Sequence, residues 1–409
     1  MKILIVHNYY REPGGEDECA RSEAQLLEEH GHQVVWFTLQ NAELRPGPGS
    51  ALRSLWSRES HAALRDLIRR ERPDVAHFHN TFHLMSPSGY WAAAAEGVPV
   101  VQTLHNYRLL CCNALLFREG KPCEDCLGKR IPWRGVARAC YRDSVGASLA
   151  VATVTTLHRA LGTWRDRIDV YVAPSEFLRS RFVAAGFSAD KILVKPNFVH
   201  PDPGIGSGDG GFALFAGRLN PEKGVETLLR AWELVGHRIP LRIVGDGPLA
   251  NKVAEEAKNR RVEWLGRRSR AEVLDLMGMA RCVVLPSEWY ENFPLVLAEA
   301  LAKGTPVIAS DAGAARELIS DGLTGFLFRA GNPGSLADAL RNALAPHTDV
   351  TAIRRSARRS YESRYTGDKN HAMLISIYEH ASSARRGAAR GHSVETIVEC
   401  QPKHSPCRP

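Results

Sequence analysis

The stretch KILIVHNYYREPGGEDECARSEAQLLEEHGHQVVWFTLQ, Lys2 to Gln40, divides into four pieces. KILIVHNYY is an apolar run of the buried-strand type. REPGGEDE is a turn rich in Gly and Pro. CARSEAQLLEEHG reads as a helix closed by Gly31, and HQVVWFTLQ as the next strand. Strands that alternate with helices form a parallel sheet covered on both faces.

The same rhythm continues through PDVAHFHN, PVVQTLHN and DVYVAPSE, each separated from the next by a helical pattern. PNFVHPDPGIGSGDGG, Pro196 to Gly211, has the Pro, Gly and Asp content of a linker. The pattern then restarts with FALFAGRL, GVETLLRAWELVG, LRIVGDG, AEVLDLMGMA, CVVLPSE and PVIASD. A chain of 409 residues is too long for one compact core. The expectation is an α/β protein of two doubly wound, Rossmann-like domains, residues 1–198 and 199–382, facing each other across a cleft. A basic tail, 383–409, is expected to be disordered. Open α/β sheets bind ligands beyond the carboxyl ends of their strands, so both domains would present loops to the cleft.

Composition is that of an ordinary globular protein, 44% apolar and 24% charged. No stretch reaches the roughly 18 uninterrupted apolar residues of a membrane span, and MKILIVHNYY lacks the cleavage pattern of a signal peptide. The expectation is a soluble, cytoplasmic protein. The net charge of +8 favours anionic partners: nucleotides, phosphates, acidic lipid or nucleic acid. No basic patch interleaved with aromatic residues, of the kind that binds single strands, accompanies it.

PSEWYENFPLVLAEALAKGTPVIASD, Pro286 to Asp311, holds Glu291 and Glu299 around an almost wholly apolar run. Pro294 suits the first turn of a helix, which runs from Leu295 to Lys303 and stops at Gly304. An unpaired charge on such a core helix costs several kcal/mol. Glu299 therefore either pairs with Lys303 one turn on or accepts hydrogen bonds from a polyhydroxyl ligand in the cleft. Glu291 sits beside the free N–H groups of Asn292 to Leu295. It either complements the helix dipole or recognises a sugar hydroxyl together with those donors. Upstream, AGRLNPEKG places Arg218 and Lys223 in the loop after a strand, where two cations suit a diphosphate.

GRLNPEKG, VGDGP, LGR (Leu265 to Arg267), PSEWYENFPLVLAEALAKGTPVIASDAGAARELI and the N-terminal PGGEDE and TLHNYR resemble the family 4 retaining glycosyltransferases of GT-B fold, of bacterial surface-glycan type. The resemblance covers Met1 to Ala381. It implies transfer of a hexose-type sugar from a UDP- or GDP-sugar to a hydroxyl of a glycan or lipid-linked acceptor, without a catalytic metal. It implies that Glu291 holds a donor hydroxyl, Glu299 the ribose, and Arg218 and Lys223 the diphosphate. Gly266 and Arg267 would lie beside the base, and Asn292, Phe293, Pro294 and Leu295 beside the donor. Many members carry Gly where this chain has Asn292, the non-Gly residue that best tolerates a left-handed backbone. Gly14 and Gly15 either make a turn or admit the donor phosphate and sugar; the resemblance favours the second. His105 is either a hydrogen-bonded strand-end residue or, by resemblance, faces the donor sugar. His79 and Asn80 are expected to line the acceptor cleft, with His77 and His79 alternatively a metal pair. A peripheral contact with anionic membrane would suit the charge. The rivals are a sugar-nucleotide epimerase or phosphorylase of the same fold, and a non-enzymatic nucleotide- or nucleic-acid-binding protein.

Five of the nine cysteines fall between Cys111 and Cys140, in an insertion spanning 108–142. Without an export signal a disulfide framework is not expected. Cys123 and Cys126 form a C-x-x-C; with Cys140 and with Cys111 or Cys112 they make four thiolates able to close a structural zinc site, and the resemblance favours Cys111, which continues the HNYRLL run. Reduced or redox-active thiols are the alternative.

Overall fold

The computed structural model describes residues 1–10, 14–41, 48–236, 239–259 and 261–398. Two parallel six-stranded sheets carry the fold. The first holds β1 (Lys2–Tyr9), β2 (Gln33–Gln40), β3 (Val75–Asn80), β4 (Val100–Thr103), β7 (Val170–Ala173) and β8 (Ile192–Val194) in the order β2-β1-β3-β4-β7-β8. Between β4 and β7 the insertion contributes a two-residue ladder, β5 (Phe117–Arg118) with β6 (Lys121–Pro122), and a short helix, Trp133–Ala137. The second sheet holds β9 (Ala213–Ala216), β10 (Leu241–Val244), β11 (Val262–Gly266), β12 (Cys282–Leu285), β13 (Val307–Ser310) and β14 (Gly325–Phe328) in the order β11-β10-β9-β12-β13-β14. The strand order reverses between β1 and β3 and between β9 and β12, and a doubly wound sheet opens a binding crevice at such a point.

The expected strands form, and β3, β4, β7, β12 and β13 are buried at every position, the polar side chains of β3 and β4 included. The linker is no loose tether. Its amides at Gly206, Gly208 and Gly210 donate to the carbonyls of Lys303, Gly278 and Met279. Among the described residues no helix is long and apolar enough to cross a membrane.

One boundary differs from the sequence reading. The helix Gly367–Val398 leaves the second domain and covers the first sheet. Leu374, Ile377, Tyr378 and Ala381 pack in one cluster with Ile3, Ile5, Val75, Val101 and Val170. Their spacing of three, four and seven residues lays them on one helical face. Residues 383–398, expected to be disordered, continue this helix, because no Pro interrupts the run before Pro402 and Arg385 pairs with Asp169 at 3.0 Å. Residues 399–409 of the expected tail lie outside the described residues.

Candidate active site

A cleft of about 950 Å³ lies between the domains, lined by the loops that follow β1, β4, β9 and β12 and by the helix Val145–Ala160. The domains meet across it. Asn292 donates to the His105 carbonyl at 2.8 Å, the Ser175 hydroxyl to the Asn292 carbonyl at 2.7 Å, and the Glu176 amide to Glu317 at 2.9 Å. Asn292 thus serves as a strap between the domains, a role that glycine at this position has no side chain to fill.

On the second domain, Lys223 ends a short turn, Pro221–Lys223, closed by Gly224 at φ 68°. A Cβ at Gly224 would sit 1.9 Å from the Pro286 carbonyl oxygen, so only glycine lets this turn approach the end of β12. The approach places the Lys223 ammonium 2.7 Å from Glu291 and 5.3 Å from the centre of the Trp289 ring. Glu291 also accepts from the Ser287 hydroxyl at 2.6 Å. Burial pushes the Glu291 carboxyl up, but Lys223, aided by Ser287, outweighs it and holds the group below its usual range. Gly313, at φ 61°, backs this loop where a Cβ would meet the Glu291 amide nitrogen at 2.6 Å. Arg218 is exposed on the cleft wall and, among the described residues, makes no ion pair. The helix Leu295–Ala302 opens beside it with Pro294 as N-cap and no side-chain cap, leaving its first N–H groups available to an anion or hydroxyl. Phe293, Pro294 and Leu295 line the cleft there.

On the first domain, His105 faces the cleft with its Nε2 2.9 Å from Nδ1 of His79. His79 is buried rather than cleft-lining, and Asn80 turns inward to donate to the Asn8 carbonyl, so the expectation for both is corrected. The strand's polar residues serve an interior network instead. Glu23 lies 3.6 Å from His79 and 3.7 Å from His77, and Lys195 pairs with Glu23 at 2.6 Å. The sets Cys19, His79, His105 and Glu23, His77, His79 each bring three ligand-type atoms within 4.8 Å of one another. The Lys195 ammonium already supplies the positive charge that Glu23 needs. Burial depresses His77 to about 4 and His105 to about 3, so both rings are neutral near pH 7.

Gly14 and Gly15 border the cleft at the start of the helix Gly15–Glu29, with Gly15 facing Leu295 of the other domain. Asp17 holds the turn: it accepts from the Gly14 amide at 2.8 Å and contacts His7 Nε2 at 2.6 Å. Sequence reasoning missed Glu16, which read as a turn residue. Its carboxyl accepts from Asn106 at 2.6 Å, while its Oε2 is buried with no hydrogen-bond partner among the described residues. Burial raises its pKa to about 7, against the opposing pull of Asn106, Arg108 and Arg218. A charged residue directly after a Gly-Gly turn was the available signal.

Three expected donor residues stand apart from this lining. Glu299 pairs with Arg270 at 3.1 Å, and Arg270 also reaches Glu18 of the first domain at 3.1 Å. Lys303, the alternative partner read from the sequence, instead donates to the Pro203 carbonyl at 3.0 Å. Gly266 ends β11, two strands out from β9, and Arg267 follows it. Cys111, Cys123, Cys126 and Cys140 line a separate void in the insertion.

Residues 13–203 match the family described as Glycosyltransferase Family 4, and residues 205–360 the one described as Glycosyl transferases group 1. D-inositol 3-phosphate glycosyltransferase of Mycolicibacterium paratuberculosis is 31% identical over 333 residues, which cover 77% of this chain and 69% of that protein. An uncharacterized glycosyltransferase of Methanocaldococcus jannaschii is 29% identical over 47% of this chain and 55% of its own length. Glycogen synthase of Mycobacterium tuberculosis is 35% identical over 46% of each. The chain spans about half the length of these last two. Among solved structures, Anabaena HepE in complex with UDP and glucose is similar at a TM-score of 0.66 and 20% identity, over 93% of this chain and 99% of that one. That likeness concerns the fold.

Proposed function

This chain belongs to the family 4-type glycosyltransferases of GT-B fold, and from that premise we propose that it transfers a sugar, with retention, from a nucleotide diphosphate sugar to a hydroxyl of a glycan or lipid-linked acceptor. One observation carries the reading: a single cleft holds Arg218, Lys223 and Glu291 from one sheet and His105 with the Gly15 helix start from the other. Arg218, Lys223 and the open helix ends face the diphosphate, whose charge grows as the sugar leaves. Glu291, held anionic by Lys223, accepts hydrogen bonds from donor hydroxyls. Neutral His105 hydrogen-bonds the sugar, and the departing phosphate oxygen takes the acceptor proton on the same face. Arg270 turns from Glu299 to free it for the ribose, with Gly266 and Arg267 beside the base. Because these side chains supply the compensating charge, the reaction proceeds without a catalytic metal. The testing experiment incubates the protein with UDP- and GDP-sugars and glycan acceptors and follows nucleotide diphosphate release and product anomer by NMR. Interconversion of the nucleotide sugar without release, or cleavage that requires orthophosphate, would replace this reading by the epimerase or phosphorylase.

Glu16 stands beside the diphosphate site as a carboxyl poised to donate from its protonated form to a phosphate oxygen. Its raised pKa means that the folded protein holds this proton below about 7 and gives it up as pH rises through that value. The stability it contributes is lost in the same direction. UDP or GDP affinity is therefore expected to fall as pH passes upward through 7, and Glu16→Gln to flatten that limb. Identical pH slopes for wild type and variant, by titration calorimetry, would count against the role.

The helix Val145–Ala160 supports the membrane contact. Gly146, Ala147, Ala150, Val151 and Val154 wall the cleft, while Val145, Leu149 and Leu157 stand exposed along its other side. Thr156 and Arg159 bond the carbonyls of Arg130 and Lys129, which sets exposed Ile131 and Trp133 near this side. Apolar side chains with a basic fringe suit the surface of an anionic bilayer. Co-sedimentation with phosphatidylglycerol vesicles is expected, and a Leu149→Glu, Leu157→Glu variant is expected to lose it. Equal co-sedimentation of the variant, or none by the wild type, would reject the contact.

A further inference from the structure

The insertion has little regular secondary structure, although Leu110, Leu116 and Phe117 anchor it in the core. Its ladder is two residues long, and Ala114, Leu116, Glu119, Ala139, Arg142 and Asp143 all adopt positive φ. Yet Asn113, Ala114, Leu115, Tyr141 and Arg142 form one wall of the cleft. The C-x-x-C and its flanking cysteines suggested a set of four with either Cys111 or Cys112, and the family resemblance favoured Cys111. The fold separates the five in the same way. Cys111, Cys123, Cys126 and Cys140 line one void of about 10 Å³, room for a single water-sized particle. Cys112 does not line the void; it packs with Val151 and Ala152 in an apolar cluster that Cys140 also touches.

We propose that this void is a structural zinc site with Cys111, Cys123, Cys126 and Cys140 as its four ligands. Four thiolates are the donor set that zinc prefers in closed, tetrahedral sites. All four are free cysteines, none tied up in a disulfide, and a bound metal would displace their protons. Cys123, Cys126 and Gly128 form a tight knuckle: the Leu127 amide donates to the Glu124 carbonyl at 2.9 Å and the Lys129 amide to the Cys126 carbonyl at 3.2 Å. Gly128, at φ 70°, lets the chain turn away after the second sulfur. Zinc with four thiolates carries a charge of −2 by formal count, and Arg118, Arg134 and Arg138 line the same void. Asp125 pairs with Arg134 at 3.5 Å and with Arg138, fixing two of those guanidiniums beside the sulfurs. No three of the four sulfurs lie within 4.8 Å of one another, so metal binding would have to draw the thiols together across the void. The metal would hold the cleft wall in place and take no part in the chemistry, which makes the site independent of the proposed reaction.

The test measures metal content on the full chain, purified without a metal-affinity tag or chelator. One zinc per chain is expected by mass spectrometry. Cys112→Ser is expected to keep it, and Cys123→Ser, Cys126→Ser to lose it. Should the double variant fail to fold, wild-type protein grown with cobalt reads the ligands directly, through the near-ultraviolet thiolate-to-cobalt charge-transfer band. Folded wild-type protein that carries no zinc and takes up no cobalt overturns the proposal. So does zinc retained by the folded double variant, or a cobalt complex without the thiolate band.

Discussion

Lys223→Ala is expected to lower kcat by about 10²–10³-fold, and Arg218→Ala by a similar factor. In the proposed reaction each cation faces the leaving diphosphate as it gathers charge, so its contribution would be greater in the transition state than in the bound substrate. Removing Lys223 has a second effect that Arg218 lacks. Lys223 is the 2.7 Å partner of Glu291, whose side chain is only 6% exposed, so Lys223→Ala leaves a buried carboxylate without its cation. Stability and turnover can be separated with Lys223→Met, Glu291→Gln, which removes both charges: its stability is expected to recover, its turnover is not. Nucleotide diphosphate release and denaturant unfolding measure the two. Near-normal release by folded Arg218→Ala and Lys223→Ala would remove both cations from the mechanism.

Lys195→Met is expected to destabilise the protein by about 3–5 kcal/mol, the cost of breaking a buried ion pair from one side. Lys195 is 1% exposed and Glu23 fully buried, and the pair lies beneath the histidines that lead to His105. Burial pushes the Glu23 carboxyl up, but Lys195 and then His77 outweigh it and lower its pKa. A lowered carboxyl contributes stability above its unfolded value near 4.3 and loses that contribution as pH falls through the folded value. In Lys195→Met the orphaned carboxyl no longer gains from ionising. The deficit against wild type is therefore expected to be largest near pH 7 and to shrink toward acid. A deficit of equal size at pH 7 and pH 5, by denaturant unfolding, would show that the charge of Glu23 is not its cause.

The alternation of strands and helices was legible because each element announces itself locally. An apolar run between Gly and Pro can bury both faces only inside a covered parallel sheet. The helix after Pro294 was legible for the same reason: it forms at Leu295–Ala302 and ends at Gly304 with φ 63°. Partners distant in sequence were not legible. Glu299 was weighed against Lys303, which lies one turn away, but its cation is Arg270, brought from another helix. Lys195 lies just past β8, and only folding carries it to Glu23, 172 positions earlier. His79 matched a cleft residue by its place near a strand end, but burial of β3 on every side turned it into the network below His105. The helix from Gly367 places its apolar residues on one face, and nothing local says which domain that face covers.

That last helix sets an order of events in synthesis. The first domain's sheet is complete in sequence once β8 has been made, but one of its faces waits for Leu374, Ile377, Tyr378 and Ala381. Those residues emerge from the ribosome after the whole of the second domain. Until then Ile3, Ile5, Val75, Val101 and Val170 lack part of their cover, and exposed apolar surface of this kind favours misassembly. The two domains therefore cannot mature independently. The amino-terminal half stays unfinished until the final helix arrives, and a ribosome that stalls anywhere in the second domain would leave it a client for chaperones.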